Sequence, residues 1–196
     1  MARPKEFDRD KALETARDIF WQSGFSATST DDLRLAMGIG RQSFYDTFKG
    51  KRELYLEVIK KYNAAQMAGY ADSFRRSPSP IQALRELLIS LASEPAKKRA
   101  LGCLGISSVC EFGTSDNDIT KIHHRSGSTI QSLIEEVVEK GKSKGELRKS
   151  LDTPRTTKFL LTVLSGLKVA ARGGASPNDL RDIALVALDG ISARKS

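Results

Sequence analysis

The chain has 196 residues, 39% hydrophobic and 29% charged, with a formal charge of +8 and a pI near 9.6. That composition is ordinary for a globular protein and excludes a disordered or collagen-like chain. No apolar run approaches the ~18–20 residues of a membrane span, and residues 1–8 are charged where a secretory signal would be apolar, so a cytoplasmic location without membrane attachment is expected.

The positive charge suits a polyanionic partner, but it is not gathered at one end. Residues 1–51 hold nine Lys/Arg against eight Asp/Glu, so most of the excess lies beyond them. Single residues, not bulk charge, must locate a nucleic-acid site.

Helical periodicity runs throughout and strand-like alternation is missing, so the fold class is all-α. The first helix begins near Asp8 or Arg9, buries Ala12, Leu13, Ala16, Ile19 and Phe20, and stops at Gly24. Ser29, three residues before Asp32, caps a short second helix with Leu33, Ala36 and Met37 inward. Gly38-Ile39-Gly40 is a tight turn. A third short helix spans about 41–48, and a fourth runs from about Lys51 to Phe74. Ser77-Pro78-Ser79-Pro80 makes a corner before a fifth helix, 81 to about 93. Pro95 to Arg99 reads as a basic solvated loop. A sixth, apolar helix covers roughly 103–112, and Ser115 or Asp116 caps a long seventh reaching Gly141 or beyond. Asp152-Thr153-Pro154 and Ser176-Pro177 each place a cap before a helix-opening proline. They start an eighth helix to Gly173 and a ninth to about Ala193.

Those last two helices are broadly apolar: Phe159, Leu160, Val163, Leu164 and Leu167 on one, Leu180, Ile183, Ala184, Ala187 and Leu188 on the other. Apolar faces this wide in a small chain point to a partner subunit, giving these ten residues as a candidate homodimer interface.

Two short helices joined by a glycine turn form a helix-turn-helix, whose second helix enters the major groove. In the third helix Phe44 and Phe48 turn inward with Ile39, while Arg41, Gln42 and Tyr45 share another face. Arg forks onto guanine, Gln pairs with adenine, and Tyr45 reaches a phosphate or a thymine methyl. The alternative is a set of ordinary solvated side chains.

The stretch Phe20-Trp21-Gln22-Ser23-Gly24-Phe25-Ser26-Ala27-Thr28-Ser29, with Asp32-Leu33 and Gly38 through Leu54, resembles the TetR/AcrR family of bacterial transcription regulators. The resemblance implies a helix-turn-helix DNA-binding domain at 1–52 and a helical ligand-binding and dimerisation domain at 53–196, about nine helices in all. It also implies a homodimer through the last two helices, a near-palindromic double-stranded DNA operator, repression as the default, and release by an unknown small-molecule effector. By the same resemblance Thr28, Ser29, Tyr45 and Lys51 contact the DNA backbone, and Arg41, Gln42 and Ser43 read bases. Thr47 stands where the family usually has His and is implied as a further phosphate contact. Asp46 replaces a frequent Tyr or His, and a carboxylate there is unfavourable beside DNA unless turned away or paired. Thr30 occupies an often apolar position.

For the effector, Cys103, Ser107, Cys110 and Glu111 are the candidate ligand-binding residues on the sixth helix. Gly102-Cys103-Leu104 with Glu111 resembles a family subset that includes cysteine-based electrophile sensors. The alternative is that both cysteines are small apolar fillers. Seven residues apart on one helix, they lie too far apart to bridge. His123-His124 reads as solvated surface and Trp21 as packing. No metal-ligand spacing, cofactor loop or catalytic grouping is present, so no cofactor, metal or enzyme activity is expected.

Overall fold

Helix ends follow the caps that the residues supply. In a computed structural model, which describes residues 7–193, Asp8 accepts from the N–H groups of Asp10 and Lys11 and opens α1 (Arg9–Ser23). Ser29 and Asp32 form a reciprocal capping box on α2 (Thr30–Met37), satisfying donors that a helix start leaves unpaired. Gly38, at φ 67°, makes the left-handed turn into α3 (Arg41–Phe48). There follow α4 (Lys51–Arg76), α5 (Pro80–Ile89), a 3-10 turn (Ser90–Ser93) and a single helical turn (Ala96–Arg99). The chain continues with α6 (Leu104–Phe112), α7 (Asn117–Ser143), α8 (Thr153–Arg172) and α9 (Pro177–Asp189).

Among the described residues there are thus nine helices of eight residues or more and no extended strand. The expected loop 95–99 is a helical turn, in which Lys98 and Arg99 bond back to the Glu94 carboxylate and carbonyl. Ala36, expected inside, is exposed; α2 buries Leu33 alone. None of these helices is long and apolar enough to cross a membrane.

Two apolar cores meet along α4. The first gathers Leu13, Phe20, Leu33, Ile39, Phe44 and Phe48 with Leu54, Tyr55, Val58 and Ile59 of α4, and also takes Cys103, Leu104 and Ile119 from much later in the chain. The second packs α5, α7, α8 and α9, with Met67, Tyr70 and Phe74 of α4 against it. Burying each large side chain in either core contributes about 1.5–3 kcal/mol. One helix therefore serves both halves.

The interface expectation needs correction. Leu160, Leu164, Leu167, Leu180, Ala184, Ala187 and Leu188 lie inside the protomer's own second core, with no surface left for a partner. Only Phe159, Val163 and Ile183 of the ten keep an outward face. Val169 and Val186, not anticipated, join them as exposed apolar side chains, Val186 at 74%.

Candidate nucleic-acid interface and the cavities behind it

The surface of α3 follows from its inner side. Phe44 and Phe48 are buried with ring centroids 5.8 Å apart, over Leu33 and Ile39. Pinning that pair leaves Arg41, Gln42, Ser43 and Tyr45 exposed, and Thr47 half-buried. Tyr45 stands edge-on to Phe44 at 5.4 Å, so its ring is held by the core while its hydroxyl end faces water. Gly40 supplies no side-chain cap, so the first N–H groups of α3 stay available to an anion. Asp46, the unfavourable carboxylate, accepts from Gln42 Nε2 at 2.9 Å. The pair orients the amide, and an incoming adenine must compete with Asp46 for that N–H.

The α1–α2 loop differs from expectation at two positions. Thr28 is 2% exposed and its hydroxyl donates to Gly24 O at 2.6 Å, so it presents no face to a phosphate. Lys51 Nζ donates to the carbonyls of Phe25 (3.0 Å) and Thr28 (2.8 Å) and sits 4.1 Å from the Phe25 ring centroid. Its ammonium is a strut for the loop, with two of three donors spent, rather than a free phosphate ligand. Ser29 is exposed at the head of α2, but its hydroxyl is bonded to Asp32, whose carboxyl is held below its usual range by Ser29's side-chain and backbone donors.

The four candidate effector residues do come together. Cys103, Ser107, Cys110 and Glu111 line a groove of about 510 Å³ between α6, the α1–α2 loop and α8. Ser107 and Glu111 already have oxygen or nitrogen partners. Ser107 accepts from Arg172 (2.9 Å), and Glu111 accepts from the backbone N–H groups of Phe25 (2.9 Å) and Ser26 (2.6 Å). Burial alone would raise the Glu111 carboxyl; hydrogen bonds from Ser26 and Phe25, with Lys51 nearby, outweigh it and hold the group low. Cys110 is an exposed thiol and Cys103 a buried one, both free.

Cys103 also borders a second cavity, of about 370 Å³, that the sequence did not reveal. Its polar wall comes from three segments: α4, the start of α6 and α8. Gln66 donates to Tyr62 Oη at 2.8 Å, Tyr62 Oη lies 3.5 Å from Cys103 Sγ, and Lys168 Nζ lies 2.8 Å from Tyr70 Oη and 3.7 Å from Cys103 Sγ. Burial works against the Lys168 charge, but Cys103 and Tyr70 beside it more than offset this and hold its pKa above the ordinary value. Burial also pushes the Tyr62 hydroxyl far up, keeping it a proton donor. Helical spacing within α4 would place Tyr62, Gln66 and Tyr70 on one face; only the fold brings Lys168 to them.

Trp21 packs edge-on to Tyr62 at 5.2 Å and donates its indole N–H to Leu101 O at 3.1 Å. His123 is half-buried, its Nε2 2.9 Å from the hydroxyl of buried Ser108, while His124 is exposed.

Known proteins resemble this arrangement along nearly the whole chain. Residues 12–58 match the family model for bacterial regulatory proteins of the tetR family. The HTH-type transcriptional repressor ComR of Escherichia coli K12 is 29% identical over 184 residues, 93% of this chain and 88% of ComR. The uncharacterised HTH-type regulator YezE of Bacillus subtilis 168 is 28% identical over 186 residues, 93% of this chain and 95% of YezE. Among solved structures, a cysteine mutant of the TetR family regulator CifR complexed with 26-bp double-strand operator DNA aligns at TM-score 0.78 and 26% identity, covering 97% of this chain and 100% of that one. A TetR family regulator from Agrobacterium tumefaciens shares the fold at TM-score 0.84 and 19% identity, covering 94% and 97%.

Proposed function

The chain belongs to the TetR family of DNA-binding transcriptional regulators, and from that premise we propose that it represses its target genes as a homodimer on a near-palindromic operator and is released by a small-molecule effector. The observation that carries this reading is the outer face of α3, where Arg41, Gln42, Ser43 and Tyr45 stand exposed over the buried Phe44–Phe48 pair. Arg41, Gln42 and Ser43 read base edges in the major groove. Tyr45, Thr47 and Ser29 contact the backbone, while Thr28 and Lys51 shape the loop that carries them. The division between reader and sensor near residue 52 is part of the same reading, with α4 common to both.

The dimer forms through the outer stripe of α8 and α9: Phe159, Val163, Val169, Ile183 and Val186. Gly166, with open space where its Cβ would be, allows a partner helix close approach. Such pairing sets two α3 helices about 34–36 Å apart, one DNA turn. The effector occupies the cavity of about 370 Å³, a volume within the range of small-molecule sites. Tyr62, Gln66, Tyr70 and Lys168 offer it hydrogen bonds from α4 and α8. Preferential binding to one inter-reader spacing is what lets the effector shift operator affinity.

A second reading of the signal rests on the 3.7 Å approach of Lys168 Nζ to Cys103 Sγ. With that ammonium beside it at the edge of the cavity, Cys103 is the thiol that reacts with electrophiles in this reading. Alkylation of purified protein separates the two: loss of operator binding that Cys103→Ser abolishes favours the thiol, and unchanged binding excludes it.

The primary test is an electrophoretic shift on the promoter region of the chain's own gene, with a scrambled duplex as competitor. A specific complex that weakens steeply with salt is expected. No specific complex at low salt would overturn the reading.

A further inference from the structure

We propose that Glu111 is a positioning residue for operator binding: reaching from α6, its carboxylate holds the α1–α2 loop and so fixes the seat of α2 and α3. The inference deepens the regulator reading and rests on it.

Two successive backbone N–H groups, of Phe25 and Ser26, converge on the two oxygens of one carboxylate at 2.9 and 2.6 Å, across a sequence gap of 86 and 85 residues. The loop is shaped for it. Gly24 has φ 81°, and a Cβ there would lie 3.3 Å from Glu111 Oε2. Lys51 satisfies the opposite polarity of the same loop, bonding the carbonyls of Phe25 and Thr28. Four backbone groups in a short turn are thus held by two side chains, one from α6 and one from α4, in a segment that otherwise has little backbone pairing of its own. Such charge-assisted bonds are roughly twice as strong as neutral ones.

The other contacts of α6 give the clasp its meaning. At its C-terminal end, Phe112 packs on Phe25 at 5.2 Å and Tyr55 at 5.5 Å. Just before its start, Leu101 O accepts from Trp21 of α1 and from Arg172 of α8. Ser107 and Cys103 bind Arg172 and Lys168 of α8. A helix of nine residues therefore spans the space between the reader's loop and α8, and any displacement of it is delivered to the loop through Glu111. The cavity beside Cys103 lies at the opposite end of the same helix.

Charge and position predict opposite signs, which makes the test decisive. Removing a carboxylate from this half of the molecule raises the local positive potential and by electrostatics alone tightens DNA binding. Loss of positioning weakens it. Operator affinity is measured for the full-length wild type, Glu111→Gln and Gly24→Ala, the last keeping the charge but crowding the carboxylate. Both variants are expected to bind at least tenfold more weakly, with an unchanged slope of log K against log salt because Glu111 touches no phosphate. Amide exchange at Phe25 and Ser26, followed without DNA, is expected to quicken in both. Glu111→Gln binding within twofold of wild type or tighter, or unchanged exchange at those amides, would overturn the proposal. If Glu111→Gln does not fold, Glu111→Asp takes its place, with several-fold weaker binding expected and unaltered binding overturning. A wild type without any specific complex defeats the regulator reading itself, and this one with it.

Discussion

α3 and α9 are built on one plan and leave different residues outside. Each is a short amphipathic helix with a well-buried face: Phe44 and Phe48 in α3, Leu180, Ala184, Ala187 and Leu188 in α9. The outer face of α3 is Arg41, Gln42, Ser43 and Tyr45; that of α9 includes Ile183 at 46% and Val186 at 74% exposure. Solvating a guanidinium costs nothing, whereas exposed branched aliphatics are left in water. The buried faces say only that both helices are packed. What stays outside distinguishes a face suited to phosphates and base edges from one suited to another apolar surface.

The outer face of α3 depends most on the side chains that hold the helix from beneath. Phe44 is fully buried, and Phe44→Ala is expected to cost about 3–5 kcal/mol. A lower melting temperature and loss of the operator complex should appear together; an unchanged melt would mean that the α3 surface is not set by its core. Next comes the outer face of α9. Val186→Asp leaves the protomer core untouched and should give a folded monomer by sedimentation, with operator affinity about 100-fold lower once two linked half-sites become one. A dimer that survives this change would place the interface elsewhere.

Arg41→Ala is expected to be milder, about 10–100-fold weaker on the specific operator, with base preference relaxed at one position. Equal losses on specific and random DNA would make Arg41 a phosphate contact instead. The smallest effect concerns His123. Burial and then the adjacent His124 hold its pKa below the ordinary 6.5, so the unfolded chain binds this proton more readily than the folded one. Its contribution is present above pH 6.5 and is lost as pH falls from there toward the depressed native value. The melting temperature should drop on going from about pH 7 to about pH 5.5, and drop less in His123→Gln. Parallel curves would show that His123 is not responsible.

The two short helices and the outward face of α3 were legible in the sequence because that information is local. Four-residue spacing separated Phe44 and Phe48 from Arg41, Gln42 and Tyr45, and Ser29 with Asp32 announced the cap that the structure contains. Helix count and most boundaries followed for the same reason, since caps and breakers act over a few residues. The interface residues went astray because periodicity gives the width of an apolar face and not what covers it. Leu160 and Phe159 are neighbours in sequence, yet one is in the protomer core and the other half outside. Functions that depend on distant pairs were invisible. Lys51 looked like a phosphate ligand until Phe25 and Thr28 proved to take its donors, and nothing near Cys103 in sequence foretells Lys168.

The composition of the first core bears on how such regulators can be recombined. Phe20, Leu33 and Phe44 share their interior with Leu54, Tyr55 and Ile59, and with Cys103, Leu104 and Ile119. A chimera cut after residue 52 would carry off the recognition surface and leave the far wall of its interior with the donor. The transplanted head would then meet whatever residues the recipient offers at those places. If the outer face of α3 reads the operator as proposed, exchanging Arg41, Gln42 and Ser43 alone transfers specificity while leaving the buried Phe44–Phe48 pair in place.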